Sequence, residues 1–180
     1  MPDSPFPMTL PGGAMLIGEP CAGDLHAQRA ALSVLMARFG WPETARNALG
    51  QPVLPVGYCS LSHGGGWVTA AKGEAPIGID VEAAGQRLEN ARRRFAGPAD
   101  QPVLDHFGDS LDTLCRLWTA KEAVFKVFGT GVDFLTGLEW AEVNDTMARV
   151  KAVAQHVDLD LSWHRLRDPH AWMAVATVGR

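Results

Sequence analysis

The run Ile77-Gly78-Ile79-Asp80-Val81-Glu82 constrains this chain more than any other segment. Apolar and polar residues alternate with a period of two, the signature of a half-buried strand and not of a helix. Ile77, Ile79 and Val81 then point into a core, while Asp80 and Glu82 share the opposite face. Two carboxylates that close repel each other unless they are solvated or share a cation. A wet acidic strand end and a site for a hard divalent ion, which takes oxygen ligands, are both open on this segment alone. Such a strand needs sheet partners. Residues 58–61 and 67–71 supply them, with turns at Gly64-Gly65-Gly66 and Lys72-Gly73.

A helix predicted over residues 110–128 adds the second constraint. Leu111, Leu114, Cys115, Trp118 and Phe125 fall on an arc about 100° wide. Glu122 falls inside that arc, and Lys121 and Lys126 flank it. A carboxylate on a buried stripe is costly unless it is paired or bound to metal. An internal Glu122–Lys126 pair at i,i+4 spacing is one solution. The other joins Glu122 to Asp80 and Glu82 in a three-carboxylate site, with Lys121 and Lys126 beside it to receive the phosphates of a metal-bound ligand.

The remaining segments complete a coarse order. Residues 1–13, rich in Pro and Gly, read as a loose arm, and residues 14–18 as a short strand. Asp24 caps a helix running to about Phe39, with Leu25, Leu32, Leu35, Met36 and Phe39 on one face. Residues 42–56 read as a connecting loop, and residues 86–128 as helices broken at Gly97-Pro98 and Gly108. Residues 138–143, 148–153, 159–166 and 171–178 read as an antiparallel meander. Strands and helices in the order βα, βββ, ααα, ββββ describe an α+β fold.

The chain of 180 residues suits one domain or two tightly fused halves. Sixteen Lys and Arg against twenty Asp and Glu leave a net charge of -4, without the broad basic footprint of a nucleic-acid binder. Cys21, Cys59 and Cys115 show no ligand spacing and read as free thiols. No run reaches the roughly 18 apolar residues of a membrane span. The N-terminus shows no secretory signal. The expectation is a cytoplasmic protein with no membrane or nucleic-acid partner.

Gly78-Ile79-Asp80-Val81-Glu82, followed some forty residues later by Trp118-Thr119-Ala120-Lys121-Glu122-Ala123-Val124-Phe125-Lys126, resembles the paired signatures of the 4′-phosphopantetheinyl transferases. Ser60-Leu61-Ser62-His63 resembles a third family segment, and Arg93-Arg94-Phe95 the region between the signatures. The resemblance spans roughly residues 25–145. The Ser-His segment resembles the long, Sfp-type class, in which two similar α/β halves pack as a pseudo-dimer. It implies a shortened N-terminal half at 14–71, a C-terminal half at 72–180 carrying the signatures, and a monomer.

The resemblance also implies an activity. The 4′-phosphopantetheine group would pass from coenzyme A to a serine of an apo acyl or peptidyl carrier protein, releasing 3′,5′-ADP. Asp80, Glu82 and Glu122 would hold Mg²⁺, with Mn²⁺ as an alternative. Glu122 and Lys126 would be catalytic, Glu122 as the base. Arg29, Ser62, His63, Asp80, Lys121 and Lys126 would contact coenzyme A. Two departures stand out. Gln51 occupies the place of a family lysine that helps hold coenzyme A, and Gly64 the place of a serine. Two other readings are a non-catalytic relative that binds coenzyme A or a carrier protein, and a different Mg²⁺-dependent phosphodiesterase or nuclease.

Overall fold

The computed structural model describes residues 5–179. Met8–Thr9 (β1) and Met15–Pro20 (β2) form an antiparallel pair, followed by the helix Leu25–Arg38 (α1). Asp24 starts that helix: its Oδ1 accepts the Ala27 N–H at 2.9 Å, satisfying one of the orphan donors of the first turn. A small hairpin, Ala45–Arg46 (β3) with Pro52–Val53 (β4), lies inside the segment expected to be loop. Tyr58–Gly64 (β5) and Trp67–Gly73 (β6) complete the first sheet, whose order is β1-β2-β6-β5.

Ile77–Glu82 (β7) opens a second antiparallel sheet. Gln86–Ala91 (α2), Gln101–Phe107 (α3) and Leu111–Phe128 (α4) follow, with short 3₁₀ turns between α2 and α3. Ser110 caps α4 through the Thr113 N–H, and Gly129 stops it in the left-handed region at φ 78°. Leu138–Ala141 (β8), Met147–Ala152 (β9), Val157–Leu166 (β10) and Ala171–Val178 (β11) form the meander, and β11 then pairs with β7. The second sheet therefore has the order β7-β11-β10-β9-β8.

Alternation along the strands sorts the core into layers. Leu32, Leu35 and Met36 of α1 pack on Ile17, Val68 and Ala70, the outer face of the first sheet. Leu16, Trp67 and Ala71 on its inner face meet Ile77, Ile79, Val81, Met173 and Val175 of the second sheet. The far face of the second sheet packs on α4 through Leu114, Leu117, Ala120 and Val124 against Leu159, Leu161, Ala174 and Ala176. The result is an α+β fold in which each large sheet carries a helix on its outer face.

Three expectations change. Residues 1–4 lie outside the described residues, but the rest of the expected arm is not loose: β1 pairs with β2, and Phe6, Met8 and Leu10 pack on the core between the sheets. Leu25 and Phe39 do not join the buried face of α1: they project onto the same stripe, but as the first residue and the C-cap they lie at the two ends of the helix, beyond the residues packed on the sheet. On α4 the buried face is not the predicted arc: Thr113, Leu117, Ala120 and Val124 lie at its centre and Lys121 within it, while Leu111 is exposed and Trp118, Glu122 and Phe125 are only half-buried, because the sheet and α2 with the 3₁₀ turns cover the opposite side of the helix.

Candidate active site

Edge strands β5 and β7 meet where the two sheets join, and their hydrogen bonding is unusual. Ser60 Oγ accepts the Ile79 N–H at 3.0 Å, and Ser62 Oγ accepts the Val81 N–H at 3.2 Å. Serine hydroxyls thus satisfy the free edge of β7 in place of a ladder. Gly64 is set by the same approach: a Cβ there would lie 2.3 Å from Val81 O, so the serine of the family pattern would not fit.

On β7, Gly78, Asp80 and Glu82 face α4. A Cβ on Gly78 would lie 1.9 Å from Ala123 O, so glycine lets α4 settle directly on the strand. That approach brings Glu122 and Lys126 over Asp80 and Glu82. A cleft of about 430 Å³ opens there, lined by Asp80, Glu82, Glu122 and Lys126 and closed from the first sheet by Ser62 and His63. Arg29 of α1 lines the same cleft.

Lys126 Nζ donates to Asp80 Oδ1 at 2.7 Å and to Ile79 O at 2.9 Å. The i,i+4 Glu122–Lys126 pair considered from the sequence is not formed. Ser62 Oγ donates to Asp80 Oδ1 at 2.8 Å. Its one proton is therefore spent holding Asp80, and not offered to a ligand as expected. Glu122 has no hydrogen-bond or ion-pair partner among the described residues. Burial, and then the charge of Asp80, push its carboxyl above the ordinary range, while Lys126 pulls the other way. Burial, Lys126 and Arg29 push the His63 imidazole below its ordinary value, so it is neutral at pH 7.

Lys121 does not reach the cleft. Its side chain is 1% exposed, and Nζ donates to Phe95 O and Asp100 Oδ2, both at 2.7 Å, and to Phe134 O. Asp100 in turn accepts from the Gly97 N–H and from Trp140 Nε1. Lys121 is a buried tie between α4 and the segments around it. Gln51 also points elsewhere: its Nε2 donates to Lys126 O at 3.1 Å and its Oε1 accepts from Asn47 Nδ2 at 3.0 Å. Three cleft residues lay outside the sequence reading. The sequence puts Trp118 on the apolar arc of α4 and Arg46 in a loop, and assigns Arg87 no role. Arg46 carries no motif and comes to the cleft by chain topology, while Arg87 follows Glu82 by five residues, on the helix after β7.

Asp80, Glu82 and Glu122 offer oxygen donors alone, with one carboxylate unpartnered, and that chemistry fits a hard divalent cation. As folded they do not converge: among the described residues no three His, Cys, Asp or Glu side chains are grouped closely enough to hold a metal ion. Glu82 is turned to its own chain, accepting the Ala83 N–H on Oε1 and the Arg87 guanidinium on Oε2. No helix of the described residues is long and apolar enough to cross a membrane.

Several known proteins are similar to this chain. The chain is 30% identical over 122 residues to a 4′-phosphopantetheinyl transferase of Bacillus subtilis, covering 67% of this chain and 51% of that protein. It is 34% identical over 90 residues to the 4′-phosphopantetheinyl transferase psf-1 of Bacillus pumilus, covering 47% and 39%. It is 30% identical over 119 residues to the 4′-phosphopantetheinyl transferase Sfp of Bacillus subtilis (strain 168), covering 65% and 52%. The matches to the two Bacillus subtilis proteins span about half the length of those relatives. The family model described as the 4′-phosphopantetheinyl transferase superfamily matches residues 76–176, the stretch that runs from the start of β7 through α4 to the end of the meander. The chain belongs to the 4′-phosphopantetheinyl transferase superfamily.

Proposed function

We propose that the protein transfers 4′-phosphopantetheine from coenzyme A to a serine hydroxyl of an apo carrier protein. The observation that carries this reading is the juxtaposition of Asp80, Glu82, Glu122 and Lys126 in one cleft, inside the segment matched by the superfamily. Asp80, Glu82 and Glu122 are the residues that would hold Mg²⁺, which supplies Lewis-acid polarisation of the diphosphate oxygens. A cation there needs Glu82 to turn from its internal partners.

The chain's own groups account for the other demands of the reaction. The serine Oγ forms a bond to the β-phosphorus, and the bond from that phosphorus to the bridging oxygen breaks. The departing 3′,5′-ADP carries the electron pair. Glu122 takes the serine proton as the general base. Lys126 has three N–H donors and spends two on Asp80 and Ile79 O. The third is free for the oxygen on which charge builds. Arg29 has no carboxylate partner among the described residues and supplies a positive charge suited to the nucleotide phosphates, with the neutral His63 beside it as a hydrogen-bonding group. Ser62 positions Asp80. Lys121 holds α4 in place and takes no part in binding.

Both sheets contribute to the cleft within one chain, which supports a competent monomer. The decisive experiment mixes the protein with coenzyme A, Mg²⁺ and a panel of apo carrier proteins, read by intact-protein mass spectrometry. One added phosphopantetheine group on any carrier, dependent on its acceptor serine, supports the reading. No addition, with coenzyme A bound but not consumed, would favour a non-catalytic relative. Gel filtration at assay concentration tests the monomer.

A further inference from the structure

The carboxylates of β7 that face α4 are already neutralised from within the chain, but not equally firmly. Asp80 is held by Lys126, which also has a backbone anchor in Ile79 O. Glu82 is held by Arg87, which reaches it from the first turn of α2 and makes no other hydrogen bond among the described residues. The Arg87 side chain is 75% exposed and that of Glu82 only 19%. Both oxygens of Glu82 are engaged: Oε1 by the Ala83 N–H, Oε2 by the guanidinium. The amide is part of the backbone just after β7 and cannot leave without moving the strand. The guanidinium sits on an exposed, flexible side chain and can.

We propose that Arg87 is a displaceable counter-cation for Glu82, competing with the divalent cation for that carboxylate. This rests on the reading of Asp80, Glu82 and Glu122 as a cation site. Arg87 cannot resolve the competition by losing its proton, because a guanidinium stays charged at any physiological pH. It must swing away, and Glu82 then turns an oxygen toward Asp80 and Glu122. The pair keeps two carboxylates on adjacent same-face positions of one strand from repelling until the cation arrives. Exposed ion pairs are weak, so the competition sets the cation affinity without blocking it.

Mn²⁺ titration read by electron paramagnetic resonance tests the proposal on the full chain. Arg87→Gln should bind Mn²⁺ about two- to fivefold more tightly than wild type, the range that losing an exposed pair allows. Arg29→Gln removes an equal charge from the same cleft without touching Glu82, and should change affinity less. In ¹⁵N-arginine spectra, Mg²⁺ should shift the Arg87 Nε–Hε resonance and leave that of Arg29 nearly in place. Equal tightening in the two variants, or an unmoved Arg87 resonance while Mn²⁺ binds, would overturn the competition. Mn²⁺ binding that is absent, or indifferent to Glu122→Gln and Asp80→Asn, would instead overturn the cation site itself, and the competition with it.

Discussion

Lys126 Nζ lies 2.7 Å from Asp80 Oδ1, tying the last turn of α4 to the middle of β7. The Asp80 side chain is only 11% exposed. Lys126→Met would leave it with Ser62 alone. Loss of a hydrogen bond to a charged group of this kind costs about 1.5–3 kcal/mol. Urea unfolding of the variant should show that loss, and carrier modification should fall by about 100-fold or more. Unchanged stability would mean that solvent already screens the pair.

Glu122→Gln should separate stability from activity. Burial and the charge of Asp80 raise the folded-state pKa of Glu122 above its unfolded value. The carboxyl is therefore tolerated below the ordinary carboxylate range, and it destabilises the fold as pH rises from that range through the folded pKa. The Gln variant should melt above wild type at pH 7, and the gap should close by about pH 4, near the ordinary carboxylate value. Transfer should drop by about 10²–10⁴-fold if Glu122 is the base. A lower melting temperature at pH 7 would show that Lys126 already compensates its charge.

Gly78 marks where β7 and α4 touch. A methyl group there would meet Ala123 O at 1.9 Å. Gly78→Ala should cost about 1–3 kcal/mol by overpacking and lift α4 from the strand. Denaturant unfolding measures the first effect. A weaker Mn²⁺ signal, with Glu122 carried away from Asp80, reports the second.

Lys121 and Asp100 form a buried pair at 2.6 Å, with exposures of 1% and 0%. Lys121→Ala removes one partner and strands the other. Such a break costs about 3–5 kcal/mol. The variant should be strongly destabilised by urea unfolding, and its residual folded fraction should bind coenzyme A normally. Full stability with lost coenzyme A affinity would return Lys121 to the cleft.

Gln51→Lys tests the loop. The Gln51 amide bridges Asn47 and Lys126 O and packs against Gly129. A lysine there loses the bridge and does not point into the cleft. Calorimetry should show coenzyme A and dephospho-coenzyme A affinities both unimproved. Selective tightening of coenzyme A would place residue 51 on its 3′-phosphate.

The sequence alone carried the strand alternation and the helix starts, which depend on near neighbours, but not the local pairings of β1 with β2 and β3 with β4. Alternation on Ile77–Glu82 put Asp80 and Glu82 on one face, and Asp24 and Ser110 announced the helix starts they cap. The apolar arc of α4 put Glu122 on one side with Trp118, the side that the structure turns to the cleft. These are period-two, period-3.6 and capping effects, written into a few consecutive residues. Tertiary structure decided what those patterns leave symmetric. Lys121 and Lys126 both flank Glu122 in helical projection, and nothing local distinguishes them. The close approach at Gly78 sets which flank of α4 lies over β7. Lys126 is delivered to Asp80, and Lys121 is turned under the 3₁₀ segment to Asp100. Arg87 lies only five residues from its partner Glu82 and was open to a local reading, whereas Arg46 and the outward turn of Gln51 were hidden for the same reason as the lysines. The latter depend on which distant backbone lies alongside, and a one-dimensional pattern does not contain that information.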